Sequence, residues 1–441
     1  MKVCVAGLWH LGSVTAAYLA SLGMDVVGFD PDEAVVDGLK NGRAPLFEPG
    51  LHELVQAGLA SGKLRFTNRV EEAVRGCSLI WITFDTPVDQ NDKADVGFIK
   101  KQLRPILKAA DAGASVIISS QVPVGFCRQL EHDLRRTRKG DDLAVCYSPE
   151  NLRLGKALEV IAHPDRIVVG LCQMGDRPRF EPVFSRLSPV IQWMSVESAE
   201  MTKHALNAFL ANSVVFANEI AAVCEAVGAN AREVAGGLLS EARIGPKAYL
   251  HPGSAFAGGT LARDIQFLIG QADRYRIPLP LIEGIQKSNQ QHRNWVKEKI
   301  RSRLKSLRNK TVALLGLTYK PGTDTLRRSW AIELAEWLSG QGVHIQAYDP
   351  LVSNLPSPLN KRMTLKASSQ DALNKADCAV IVTSHPTFLK LETSDIALMR
   401  SPLMIDPNGI LFSKFGAGPQ NVDYLCVGFQ SKGKNNGASR R

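Results

Sequence analysis

The sequence predicts an α/β protein with two doubly wound parallel sheets joined by a helical middle. Three observations carry this. Short apolar runs alternate with helical stretches over the first part of the chain, the alternation stops near Ser198 in favour of alanine-rich apolar spacings of three and four, and it restarts at Thr311. Strands alternating with helices build parallel sheets from strand–helix–strand units. Apolar recurrence at three and four marks one face of a helix. The 441 residues fit two or three domains at roughly 150 residues each.

In order, Val3–Ala6 reads as a strand, His10–Leu22 as a helix and Asp25–Phe29 as a strand. Further strands are expected at Leu79–Phe84, Ser115–Ser119, Leu143–Cys146 and Arg166–Val169. The region from Ser198 to about Leu239 is helical, and a second long helix is expected over Pro280–Arg308. Beyond Thr311, Val312–Leu315 is a strand, Trp330–Gln341 a helix, and Val343–Tyr348 a strand ending at Asp349; Ala379–Val382 and Leu403–Ile405 continue the series. The domain boundaries that follow are 1–197, 198–310 and 311–430, with a basic Gly/Asn/Ser-rich tail over 431–441 expected to be disordered.

Composition narrows the function classes. Apolar residues make up 45% and charged residues 22%, enough for a large core. The net charge of +10 includes Lys432, Lys434, Arg440 and Arg441 of the tail, and seven Lys/Arg against one Glu between Lys297 and Lys310. No nucleic-acid-binding motif accompanies them, so no nucleic-acid partner is expected, and an anionic small substrate accounts for the charge. The eight cysteines (Cys4, Cys77, Cys127, Cys146, Cys172, Cys224, Cys378, Cys426) form no CxxC pair. They sit mostly in apolar runs, the usage of reduced thiols in a cytoplasmic protein rather than of disulfides or a metal site. The apolar run from Met1 to Met24 imitates a signal peptide, but Gly7, His10 and Gly12 interrupt it and a second strand follows. No other segment reads as long and apolar enough to span a bilayer, so no membrane partner is expected.

Gly7-Leu8-Trp9-His10-Leu11-Gly12 follows a strand and opens a helix, and Asp30 closes the next strand 18 residues after Gly12. That is the context of a Rossmann-like dinucleotide turn, with the helix N-terminus facing pyrophosphate and the carboxylate accepting ribose hydroxyls. Asp30 favours NAD over NADP, since a carboxylate repels a 2′-phosphate. Trp9 stands where the usual pattern has its second glycine, and an indole there is expected to crowd the pyrophosphate.

Several blocks in a fixed order extend this. They are Phe47-Glu48-Pro49-Gly50-Leu51, Thr86-Pro87 with Ala94-Asp95, Val122-Pro123-Val124-Gly125, Ser148-Pro149-Glu150-Asn151-Leu152-Arg153, Glu200-Met201-Thr202-Lys203-His204-Ala205-Leu206-Asn207, Arg243-Ile244-Gly245, Pro252-Gly253 to Asp264, Gly316-Leu317-Thr318-Tyr319-Lys320, and Asp324 to Ser329. With them the chain resembles the UDP-glucose/GDP-mannose dehydrogenase family from residue 1 to about 428. The resemblance implies a nucleotide-sugar substrate whose C6 alcohol is oxidised with NAD, and a homodimer formed through the central helices. It places Gly7, Trp9, Gly12, Asp30, Thr86 and Gln121 at the cofactor. It places Lys203, Asn207, Asp264, Glu150 and the residue at position 260 around the reacting sugar carbon, and Arg243, Lys320 and Arg327 at the nucleotide-sugar.

The departures fall on the chemistry. The family's catalytic segment reads GFGGSCFPKD; here it runs Ala255-Phe256-Ala257-Gly258-Gly259-Thr260-Leu261-Ala262-Arg263-Asp264. Thr260 therefore replaces the cysteine that forms the thioester of the second oxidation. A thiol has a pKa of about 8.5, whereas an alkanol is far less acidic and a poorer leaving group, so a thioester route at this position is impossible. Leu154 replaces the glutamate of the family's REG, Gln121 the threonine of its STVP, and Arg263 a lysine. Cys127 is the one thiol placed to substitute, though a helix-start cysteine is ordinarily buried. Two readings follow: a dehydrogenase that stops at the aldehyde, favoured by Lys203, Asn207 and Asp264, and a non-catalytic nucleotide-sugar-binding paralogue or partner subunit, favoured by Trp9 and Thr260.

Overall fold

The computed structural model describes residues 1–89, 92–138, 142–257, 259–319, 321–416 and 422–430. The chain forms two compact units, one of Met1–Leu206 with Gln266–Arg276, the other of Asn207–Ile265 with the chain from Ile277 onward.

The first unit holds an eight-stranded sheet of β1 (Lys2–Ala6), β2 (Asp25–Phe29), β3 (Leu64–Thr67), β4 (Leu79–Ile82), β5 (Ser115–Ile118), β6 (Ala144–Tyr147), β7 (Ile167–Leu171) and β8 (Ile191–Ser195), in the order 3-2-1-4-5-6-7-8. The order reverses beside β1, which creates the crevice where doubly wound sheets bind ligands. β1, β4, β5 and β6 are apolar on both faces because helices cover both sides, and their side chains divide between two cores. Helix α1 (His10–Ser21) follows β1 and helix α2 (Phe126–Thr137) follows β5. The sheet is not wholly parallel, as the sequence predicted: β6 and β7 pair antiparallel, because the Pro149–Pro164 excursion returns the chain in the opposite direction.

The helical middle opens with α3 (Val196–Val227) and α4 (Ala231–Ser240), continues with α5 (Thr260–Tyr275), and ends in α6 (Pro280–His292) and α7 (Trp295–Leu304). The single helix expected over Pro280–Arg308 is thus two. Asn294 N–H donates to Gln291 O, a tightened turn that breaks the ladder, and Lys305, at φ +57, stops α7. The expectation that no segment could span a bilayer is also corrected, since α3 has 32 residues and is apolar enough by composition. Its buried polar residues nevertheless bond within the protein, among them Glu200, His204 and Asn218, which is the wiring of a core helix.

The second unit's sheet contains β9 (Thr311–Leu315), β10 (His344–Tyr348), β11 (Thr364–Leu365), β12 (Cys378–Ile381), β13 (Leu403–Ile405), β14 (Asp423–Cys426) and β15 (Phe429–Gln430), in the order 11-10-9-12-13-14-15, with only the β14–β15 pair antiparallel. Helix α8 (Trp330–Gly340) packs on it through Ala331, Leu334, Ala335 and Leu338. The two sheets share their construction at the first crossover: Gly7 donates to Phe29 O and Gly316 to Tyr348 O, each at 2.8 Å. The basic tail over 431–441, expected to be disordered, lies outside the described residues.

Candidate active site

The turn after β1 is built as a dinucleotide turn. Gly7 has φ +99, and a Cβ there would lie 2.5 Å from the backbone nitrogen of Phe84. A Cβ on Gly12 would overlap the Gly7 carbonyl oxygen. Position 9 has no such requirement: Trp9 has φ −68 and its side chain is partly exposed. Hence both outer glycines are demanded by geometry while the tryptophan fits the turn. No side chain caps α1 and no acid sits in its first turn, the features of a helix N-terminus that can take a diphosphate.

Asp30 closes β2, accepting hydrogen bonds from Leu8 N at 2.7 Å and Asp32 N at 3.0 Å. Burial raises its pKa, against the pull of those two donors. A carboxylate has about four lone-pair sites, so capacity remains for ribose hydroxyls. The residues present therefore fit NAD. Thr86 and Gln121 are brought together, the Thr86 hydroxyl donating to Gln121 O at 2.6 Å.

Sequence reasoning gave no role to the residues that hold the loop after β5. Glu200 accepts from Gly125 N at 2.6 Å and Cys127 N at 2.9 Å, capping α2. His204 donates to Val122 O and Gln271 to Val124 O, each at 3.0 Å. Glu48 plays a similar part nearby, accepting from His10 and Gly155 at 2.8 Å and from Ala157 at 2.7 Å. Polar residues inside apolar helical patterning are the sequence signal for such buried braces.

Among the residues expected at the reacting sugar, the Lys203 ammonium donates to Glu150 O at 2.5 Å and lies 3.9 Å from the Glu150 carboxylate. Glu150 turns its carboxylate back to Leu152 N, at 2.7 Å. Asn207, one helical turn after Lys203 on α3, donates from Nδ2 to Asp264 Oδ2. Asp264 is wholly buried, whereas Thr260, one turn earlier at the start of α5, is exposed. Arg243 lies on the surface paired with Glu241 at 2.9 Å, and Arg327 is exposed. Lys320, expected at the nucleotide-sugar, lies outside the described residues.

All eight cysteines are free and buried. Burial raises the Cys127 thiol far above its usual range, and the Glu200 carboxylate beside it adds to the effect. Burial likewise pushes Cys172 up to about 12 and Cys426 up to about 11.

The second sheet repeats the aspartate device. Asp349 follows β10 and accepts from Leu317 N at 2.7 Å and Thr318 N at 3.2 Å. Gly316, at φ +89, passes close to Thr383, whose hydroxyl donates to Thr318 O at 2.8 Å.

Comparison with known proteins accounts for these parts. Residues 1–188 match the NAD binding domain of the UDP-glucose/GDP-mannose dehydrogenase family, 197–291 its central domain and 313–413 its UDP binding domain. The chain is 33% identical to the UDP-glucose 6-dehydrogenase of Rhizobium meliloti over 437 residues, covering 97% of this chain and 99% of that one. Among solved structures it is similar to a UDP-glucose dehydrogenase from Pyrobaculum islandicum, with a TM-score of 0.85, 28% identity and coverage of 92% and 93% of the two chains. It is similar as well to a UDP-D-ManNAc dehydrogenase from Pyrococcus horikoshii, with a TM-score of 0.85, 26% identity and coverage of 97% and 99%. With three domains matched in order and a dinucleotide turn at the crest of its first sheet, this chain belongs to the UDP-glucose/GDP-mannose dehydrogenase family.

Proposed function

We propose that this NAD-dependent oxidoreductase oxidises the C6 alcohol of a UDP- or other nucleotide sugar and releases the product at the aldehyde stage. NAD, when bound, accepts the hydride. The remainder falls to side chains. As the C6–H electron pair departs, the alcohol proton passes to a base and the C–O bond becomes a carbonyl, one two-electron oxidation. Asp264 is assigned as that base or as the group ordering its water. Asn207 orients the carboxylate through their shared hydrogen bond. The Lys203 ammonium, fixed by Glu150, offsets negative charge on the reacting oxygen.

The observation that carries the two-electron limit is the thiol census. Position 260 holds a threonine and every cysteine of the chain is buried. A second oxidation through a thioester needs an accessible sulfur, and none is present. The buried free thiols also support a reducing, cytoplasmic setting.

A homodimer is supported by α3. Met201, Phe209, Phe216, Val223 and Val227 are exposed at 40%, 67%, 43%, 58% and 71%. Their separations of eight, seven, seven and four residues place them along one stripe, the spacing of a helix-to-helix seam. We read 1–197, 198–310 and 311–430 as cofactor, central and nucleotide-sugar domains.

The test is a panel of UDP-, GDP- and dTDP-sugars offered with NAD, following NADH absorbance and, in parallel, sugar binding by calorimetry. Turnover of at least one sugar is expected. Binding without any NADH would instead identify a nucleotide-sugar-binding paralogue.

A further inference from the structure

Residues 251–257, which lead toward Thr260 and Asp264, have no regular secondary structure, so their backbone polar groups need partners from elsewhere. Five of them are taken by four side chains. Gly253 N donates to Asn218 Oδ1 at 2.9 Å, and Gly253 O accepts from His292 Nε2 at 2.8 Å. Ser254 N donates to Asn408 Oδ1 at 2.9 Å. Asn289 takes both groups of Phe256: its Oδ1 accepts from Phe256 N at 3.0 Å and its Nδ2 donates to Phe256 O at 2.9 Å. The Asn289 amide thus replaces a neighbouring strand.

We infer that Asn289 and Asn408 are positioning residues that fix the approach of the segment carrying Thr260 and Asp264, and that Asn408 ties this segment to the carboxyl edge of the second sheet. Asn408 follows β13. Its Nδ2 donates to Ser384 Oγ at 3.1 Å, just beyond β12, while its main-chain oxygen accepts from Arg232 at 2.7 Å. The carboxyl ends of β12 and β13 form the edge at which doubly wound sheets take ligands. One side chain therefore touches both that edge and the reactive segment. The contact is close: a Cβ on Gly253 would lie 2.6 Å from Asn408 Oδ1 and would push that side chain aside. Asn289 is buried, and so is Asn218 on α3. Satisfied buried amides of this kind define one backbone conformation. A misplacement of about 1 Å in a reacting group costs about 100-fold in rate.

The inference rests on the assignment of Asp264 to the reaction, so its test includes a readout that needs no turnover. Because all eight native cysteines are buried and Thr260 is exposed, Thr260→Cys creates a single reactive thiol at the segment. Its rate of reaction with a chromogenic disulfide reports the segment's placement directly. Adding Asn289→Ala or Asn408→Ala is expected to change that rate several-fold while the thermal transition is kept. Asn289→Asp and Asn408→Asp, which retain the acceptor oxygen but lose the donor, should fall between. In the Thr260 protein, the alanine variants should lower kcat about 10- to 100-fold with little change in KM. An unchanged thiol rate in folded Asn289→Ala and Asn408→Ala proteins would overturn the inference, whether or not the parent turns over. If either alanine variant fails to fold, equal thiol rates in the aspartate variant and the parent overturn it instead.

Discussion

Asn207 and Asp264 form a buried amide–carboxylate pair, joining α3 to the second turn of α5. Removing one partner of a buried hydrogen bond leaves the other unsatisfied, at about 1–3 kcal/mol. Asn207→Ala should therefore lower the denaturant midpoint as well as the rate. Asp264→Asn preserves shape but removes the base, and should lower kcat by about 10²- to 10⁴-fold with nucleotide-sugar affinity maintained. Equal loss of affinity and rate would show that Asp264 holds the ground state rather than the reaction.

Cofactor choice should follow Asp30. NAD is expected to bind more tightly than NADP, and Asp30→Asn should narrow the difference while still accepting from Leu8 N. Stronger binding of NADP by the unmodified protein would remove Asp30 from the ribose site. The same turn predicts a contrast in stability. Gly7→Ala, which places a Cβ against the Phe84 backbone, should destabilise by about 1–3 kcal/mol or more. Trp9→Gly should leave the turn intact, because Trp9 already has an unstrained φ. Thermal melts of the two variants separate these outcomes.

Acid should loosen the segment before Thr260. Burial lowers the pKa of His292, whose ring is spent on Gly253 O. The folded state thus resists a proton that the unfolded chain accepts at about pH 6.5. Below that pH the unfolded state binds more protons, so this histidine's contribution to stability falls as pH falls toward the folded value. The slope of melting temperature between pH 7 and 5.5 should be shallower in His292→Gln than in the parent; identical slopes would contradict the assignment.

Charge placed on the α3 stripe should break the proposed dimer. Phe209→Glu with Phe216→Glu is expected to shift the mass measured by light scattering from two chains to one. A parent that already runs as a monomer would show that the stripe serves another purpose.

Much of the fold was legible because strand and helix periodicities differ so sharply. β1, β2, β4, β5 and β9 are short apolar runs with turn signals, and their bounds were found to within a residue or two. What escaped notice lacked a local signal. β3 has one exposed and one half-buried residue among its four, and β8 is nowhere fully buried, so neither reads as a core strand. The α6–α7 break carries no glycine or proline. At the site, Asn207 and Asp264 were named together through a family pattern and are bonded. Glu200, Asn289 and Asn408 were given no role, since they act on backbone groups distant in sequence, and no spacing rule reveals such partners. The dinucleotide motif allots a glycine to each of three positions without distinguishing them, and only Gly7 and Gly12 meet backbone too close for a side chain.

The central claim, that oxidation ends at the aldehyde for want of a reachable thiol, is tested most directly by product stoichiometry. With a sugar that the unmodified protein turns over, NADH formed per sugar consumed is measured by absorbance, and the product is identified by mass spectrometry with and without hydroxylamine trapping. One NADH per sugar and an oxime of the C6 aldehyde are expected. Two NADH per sugar and a uronic acid would contradict the claim.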